Sequence, residues 1–456
     1  MKNILHFNRY KMFLFLPFKS KEFTTLNSLI ASPINKRRYI SCLQTTITWG
    51  GNVAEDYRIH NRSHREERDK NGKVLLAIEY YEGHHEWWKN GKCHRDDRDE
   101  NGRVLPASIW NNGSEFWYNN GQLHRDDLDE NGFTLPTLIQ DGIKEWRIDG
   151  VLDRYDVDEK GYTLPSRINQ NNDRRWFMDG ECHREERDGN GKVLPAYIGS
   201  DGAQEWWENG QQHRDDRDDN GRVLPAIINS DGTQEWWENG QQHRDDRDEN
   251  GKTLPAIIRS NGNQEWWETG ECYRDDLDEN GRVLPAVINS NGTCEWYNDG
   301  ELHRDDLDEN GKTLPAIIWR DGSQFWYKNG EKHRDGRDEK GYTLPSCIYE
   351  DGSQFWHSYG VIHRDDLDEN GRVLPAFIDK DGGQYWYKNG VIHRDDLDEN
   401  GRVLPAFIDK DGGQYWYKNG EFHRDDRDEN GRVLPAVIKS NGDKEWWVDG
   451  EKLKIN

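Results

Sequence analysis

Apolar positions along the chain fall into short blocks that return every thirty residues. In a representative copy Leu224, Ala226 and Ile228 take every second position between Arg222 and Asn229, which puts them on one face of an extended strand. A second block, Thr233 to Glu238, carries the adjacent rings Trp236 and Trp237. A third begins near Gln241 and runs through His243, Arg244 and Asp245. Gly221, Gly232, Gly240 and Gly251 each follow Asn or Asp, and such pairs mark hairpin turns. No segment has the 3.6-residue period of a helix. The pattern predicts an all-β chain with roughly three short strands per copy.

One tryptophan anchors the register. Trp87, Trp117, Trp146, Trp176, Trp206, Trp236, Trp266, Trp296, Trp326, Trp356, Trp386, Trp416 and Trp446 are thirty apart except for one step of twenty-nine, whose deletion lies between Pro136 and Gly142. About thirteen copies follow, and residues 361–390 and 391–420 are identical throughout. A closed propeller fixes its blade number, whereas an open solenoid accepts an added copy at nearest-neighbour cost. An open repeat array, a β-hairpin solenoid or superhelix that lengthens with each copy, is therefore expected over residues 55–456. Pro106 through Pro435 hold one slot in twelve copies, with Leu76 in the first. Because proline cannot donate a ladder bond, this argues against one continuous sheet of equivalent strands.

Composition then decides how such a chain folds. Only 32% of residues are hydrophobic and the net charge is −25, yet 21 Trp and 19 Tyr supply large buried rings, so a thin core repeated many times replaces one compact core. Residues 1–54 form a basic extension with eight Lys or Arg and one acid, leaving −32 on the rest. Phosphate affinity needs a basic surface, so nucleic acid is excluded as partner of the repeats. Six cysteines without a C-x-x-C pair give neither a zinc signature nor a disulfide framework, and favour a reducing, cytoplasmic setting. The run Met12 to Phe18 behind Lys2, Arg9 and Lys11 leaves organelle targeting or secretion open through residues 1–40. No stretch reaches the roughly 20 apolar residues of a membrane span.

Several motifs carry candidate chemistry. His124 to Asn131 satisfies the kinase pattern H-R-D-x-x-x-x-N, but it recurs in eight copies without a phosphate loop, strand lysine or D-F-G, so it reads as an exposed strand with cross-strand charge pairs. Asp216, Asp218 and Asn220, and in the next copy Asp246, Asp248 and Asn250, match the first ligand positions of a calcium loop. Against calcium, Ile227 stands where the bidentate Glu belongs and Pro225 interrupts the loop; the alternative is an acidic type I′-like turn. No other cofactor is implied. The histidine column, His64 through His423 with Asp153 and Tyr273 as replacements, reads as structural imidazoles beside their own acids, or as a pH- or metal-responsive ladder.

The residue after each anchor is the candidate binding surface. Trp88, Tyr118, Phe177, Trp207, Trp237, Trp267, Tyr297, Tyr327, Tyr387, Tyr417 and Trp447 make it aromatic in eleven copies, broken by Arg147 and His357. Facing outward it is an aromatic ladder; wound inward it is core.

The stretch Gly202 to Gly210 resembles the aromatic-x-N-G hairpins of MORN-type repeats and their bacterial relatives. It is also similar to W-Y-x-N-G-x-x-H-R-type repeats of large DNA viruses and some bacteria. The likeness spans residues 60–456, although MORN units are shorter and lack the H-R-D-D and L-P-A blocks. It implies an elongated hairpin array for protein or membrane-surface contact, with no catalytic residue. The functional expectation is a non-enzymatic scaffold engaging a protein partner. The alternatives are an aromatic-ladder glycan binder and a calcium-binding acidic repeat protein.

Overall fold

The computed structural model describes residues 68–454 apart from 77 and 80–82; the expected N-terminal extension and His64 lie outside them. Among the described residues there is no helix, and none that could cross a membrane. The all-β repeat array is what the structure shows, in two compact bodies. One runs to Glu186 and includes Ala196–Ser200; the other comprises Arg187–Pro195 and the chain from Asp201 onward. Each is built from the same thirty-residue repeat.

Within a repeat the expected second strand divides at Trp236, so four two-residue strands form two hairpins. The first pairs Ile227–Ile228 with Gln234–Glu235, and Gln234–Glu235 pairs in turn with Ile257–Ile258 of the next repeat. First hairpins therefore join into an antiparallel ladder in each body. The second hairpin, Trp237–Glu238 with Gln241–Gln242, stays a separate two-stranded sheet. The continuous sheet that proline argues against thus exists, but it uses only half the strands. Pro225 precedes Ile227–Ile228, so its missing N–H removes no ladder bond.

Turn chemistry follows position. The second hairpin turns through Asn239 and Gly240 at φ 49° and 79°, the two positive values a type I′ turn requires. The first turns through Ser230, Asp231 and Gly232, with Gly232 N–H donating to Asn229 O at 2.9 Å and only the glycine left-handed. The twenty-nine-residue repeat is shorter here: strands Leu138–Gln140 and Ile143–Glu145 meet through Asp141 and Gly142 alone, a two-residue turn replacing a three-residue one.

The core is one indole thick. Trp236 is buried; its N–H donates to Ala256 O of the next repeat at 2.8 Å, and its Nε1 to Val223 O of its own at 2.7 Å. The Ala256 slot holds Ala226, Ala286, Thr137, Ser166 or Ser346 elsewhere, each no more than 2% exposed. Only small side chains fit beneath the stacked ring.

Thr269 occupies the Asn239 slot at φ 48°, where a β-branched residue is strained. Thr269→Asn should stabilise the protein by about 1 kcal/mol, the typical left-handed penalty. A thermal melt showing no gain would contradict that reading of the turn.

Candidate functional site

Within each body the repeat junctions are stapled by an arginine. Arg244 lays its guanidinium over the Trp236 ring at 3.8 Å, donates Nη1–H to Pro255 O of the next repeat at 3.1 Å, and donates Nε–H to Asp246 Oδ2 at 3.2 Å. Asp246 Oδ2 also accepts the Val223 N–H at 2.8 Å. Twelve repeats carry the stack, at 3.7 to 4.2 Å. A desolvated cation–π contact contributes about 2 kcal/mol. Stripping the guanidinium from a buried carboxylate costs about 3 to 5 kcal/mol more. The H-R-D-D block is therefore not the exposed strand expected: its Arg and second Asp are interior. Six junctions add an Arg from the preceding turn, as Arg217 Nη1 to Asp246 Oδ1 at 3.3 Å. Where that residue is Leu, as at Leu277, Leu307, Leu367 and Leu397, the side chain is left about half exposed.

The calcium-like residues serve this frame. Asp216 is buried, its Oδ2 taking the Val193 N–H at 2.8 Å and Arg214 Nε at 3.2 Å, and its Oδ1 taking Arg187 Nη1 at 3.1 Å. Asp218 instead caps its own turn, Oδ1 accepting from Asn220 N–H at 2.9 Å and Arg222 N–H at 2.8 Å. Asp246, Asp248 and Asn250 repeat both roles. The two carboxylates thus face different partners. The turn is also not type I′-like: Gly221 alone is left-handed, at φ 78°.

The histidines bridge repeats. His213 Nδ1 accepts the Asn239 N–H of the next repeat at 3.2 Å, and the same bond recurs at His94, His124, His243, His303, His333, His363, His393 and His423. A backbone N–H only donates, so the proton of the neutral ring sits on Nε2, 3.0 Å from Asp215 Oδ1. Glu208, His213 and Asp215 bring ligand atoms within 4.8 Å of one another, the one such cluster among the described residues. With Nδ1 already accepting and Nε2 protonated, the imidazole has no free lone pair for a metal.

All ten candidate ladder rings, Trp88, Tyr118, Trp207, Trp237, Trp267, Tyr297, Tyr327, Tyr387, Tyr417 and Trp447, are half-buried, neither displayed nor enclosed. Several are tied to the strand beside them, as Trp207 Nε1 donating to Glu205 at 2.7 Å and Tyr297 Oη to Glu295 at 2.8 Å. A second aromatic column escaped the sequence reading. Phe325, Tyr349, Phe355, Phe377, Tyr385, Phe407 and Tyr415 touch in succession along the ladder at 4.0 to 5.7 Å, the first two pairs edge-on and the rest stacked. The rings before Trp326, Trp356, Trp386 and Trp416, alternating with rings of the first strand, were its signal.

A cleft of about 270 Å³ opens where two second hairpins meet, lined by His213, Asp215, Trp237, Glu238, His243 and Asp245 among others. The residue after the ladder ring sets its charge. Lys89, Lys328 and Lys388 reach the aspartates Asp96, Asp335 and Asp395 at 2.6 to 2.7 Å. Glu208 and Glu238 stand in that same position, 3.6 Å from His213 and His243.

No family model and no curated protein matches the chain. Two solved structures, crystal structures of TcdB2-TccC3 with and without its hypervariable C-terminal region, are similar at 13% and 12% identity over 77% and 81% of this chain, with TM-scores of 0.14 and 0.13. The chain spans only 19% and 18% of theirs, and a likeness this weak carries no argument.

Backbone N–H donors, first that of Arg222, hold Asp218 below the usual carboxylate range, and Asp248, Asp278, Asp308, Asp368 and Asp398 are held likewise. A folded pKa below the unfolded one adds stability above the unfolded value and loses it as pH falls through the folded value. In about 0.5 M sodium chloride, which screens repulsion between exposed acids, the melting temperature should hold near neutrality and fall below about pH 4. A flat profile to lower pH would contradict the capping role. Calcium and sodium chloride at matched ionic strength should give equal melting temperatures, since Asp216 and Asp218 already hold partners; a calcium-only rise would restore the coordination reading.

Proposed function

We propose that the chain is a non-enzymatic repeat scaffold whose junction clefts take up lysine or arginine side chains of an extended protein partner. One observation carries this reading: Lys89, Lys328 and Lys388 place an ammonium on the cleft aspartate, whereas Glu208 and Glu238 put a second carboxylate in the same position. The internal lysines act as stand-ins for a partner's side chain. Trp207 and Trp237 flank the acids and suit a cation stacked on an indole. The charge of −32 beyond residue 54 would speed association with a basic partner.

The absence of catalysis is part of the proposal. A Ser346–His357–Cys347 grouping is the best nucleophile candidate seen, with His357 Nδ1 at 2.9 Å from Ser346 Oγ and 3.9 Å from Cys347 Sγ. Burial pushes the thiol up to about 11 and the imidazole down to about 4, so neither the thiolate nor an imidazolium partner forms near neutrality.

The test is titration of a lysine-rich peptide onto the full chain. Glu208→Lys with Glu238→Lys should weaken binding about tenfold or more, a loss of about 1.4 kcal/mol. Asp219→Lys with Glu249→Lys changes net charge equally outside the clefts and should weaken it far less. Equal losses would reduce the interaction to general electrostatics and sink the cleft reading.

A further inference from the structure

One repeat lacks its buried acid. Gly336 stands where the other staples hold Asp or, at Glu186, Glu. Everything else in the staple is in place. Arg334 lies over the Trp326 ring at 3.7 Å and donates Nη1–H to Pro345 O at 3.2 Å, as its counterparts do. Arg334 Nε and Thr313 Oγ1 are nevertheless buried with no hydrogen-bond partner.

The sister sites show what those donors hold. Thr253 donates both its N–H, at 2.9 Å, and its hydroxyl to Asp276 Oδ2, which also accepts Arg274 Nε at 2.9 Å. Thr343 and Arg364 do the same to Asp366. A Cβ built on Gly336 would lie 3.6 Å from Arg334 Nε and 3.8 Å from Thr313 Oγ1, so the position faces both donors; its closest contact is the flexible tip of Leu344 at 3.2 Å.

We propose that the Arg334–Thr313 cradle beside Gly336 is a binding site for a carboxylate supplied from outside the chain, of the size of formate or acetate. Charge balance allows it. Arg334 keeps its positive charge with no carboxylate bonded to it, and desolvation, offset only in part by the nearby charge of Asp308, lowers its pKa to about 10, which a bound anion would reverse. Acidic surroundings are no bar: Asp278 lies near Arg304 as Asp308 lies near Arg334, and the Arg304 cradle still holds Asp306. The donors are fixed by the indole and the proline carbonyl before any ligand arrives, so little ordering is lost on binding. Two unsatisfied buried donors supply the driving force. This inference is independent of the cleft reading, since it concerns an anion and an interior position.

The experiment compares sodium formate, sodium acetate and sodium chloride at matched ionic strength on the full chain. Formate at ten times its Kd should shift the folding equilibrium about elevenfold relative to chloride, read as a higher melting temperature. Saturation transfer from protein to the formate proton should report binding directly. Both signals should vanish in Gly336→Asp, which supplies the carboxylate internally, and weaken in Thr313→Val, which removes one donor and keeps the staple. A peptide ending in a free carboxylate, compared with its amide, distinguishes a partner-borne group from a free small acid: competition by the acid form alone identifies a partner's terminus as a competent source. Equal effects of formate and chloride, or formate signals unchanged in Gly336→Asp, would overturn the proposal.

Discussion

Everything in this protein depends on desolvating an arginine without stranding it. The guanidinium needs a hydrogen-bond acceptor for each polar edge and an apolar or π surface for its face. The repeat supplies all of these: an indole below, a carboxylate at Nε, a proline carbonyl from the next repeat at Nη1. Because one acceptor belongs to the neighbour, the same group that closes a repeat also fastens it to the next. A chain with 32% hydrophobic residues can then fold, because each thin layer is shared between two repeats.

The architecture was legible where it rests on spacing. Anchor tryptophans thirty apart give the register, and Asn-Gly pairs give hairpins, because both features act locally along the chain. The split of the second strand was not legible. Trp236 donates forward to Ala256 while its carbonyl accepts the His243 N–H, so it belongs to neither hairpin alone, and strand alternation cannot express that. The two kinds of turn were confused for a similar reason. Asn239-Gly240 and Asn220-Gly221 read alike, and only the Asp218 side chain, bonding forward to two N–H groups, makes the second a different turn.

The candidate site was harder to read because its chemistry lies between repeats. Arg244 looks like one charge in a solvated run until the indole eight residues earlier is taken as its partner. That spacing persists at Trp146 and Arg154 in the shortened repeat, and at Arg274 where Tyr273 replaces histidine. The acid pairs of the calcium-like loop failed as a unit because Asp216 reaches back to the Val193 N–H at the start of its own repeat, while Asp218 bonds forward within its own turn. Histidine was placed correctly beside its acid, but its second nitrogen reaches the following turn, a bond that no reading of a single copy contains.

The turn position that is arginine in some repeats and leucine in others has a consequence for how the array comes apart. In a linear chain of nearest-neighbour couplings, opening begins at the weakest coupling and spreads until it meets a strong one. The junction joining Leu307 to Gly336 lacks both the added arginine and the carboxylate it would hold, while the flanking carboxylates Asp306 and Asp366 are each bonded to their staple arginine. That junction is a crack already scored into a row of otherwise near-identical parts, the place where opening would start.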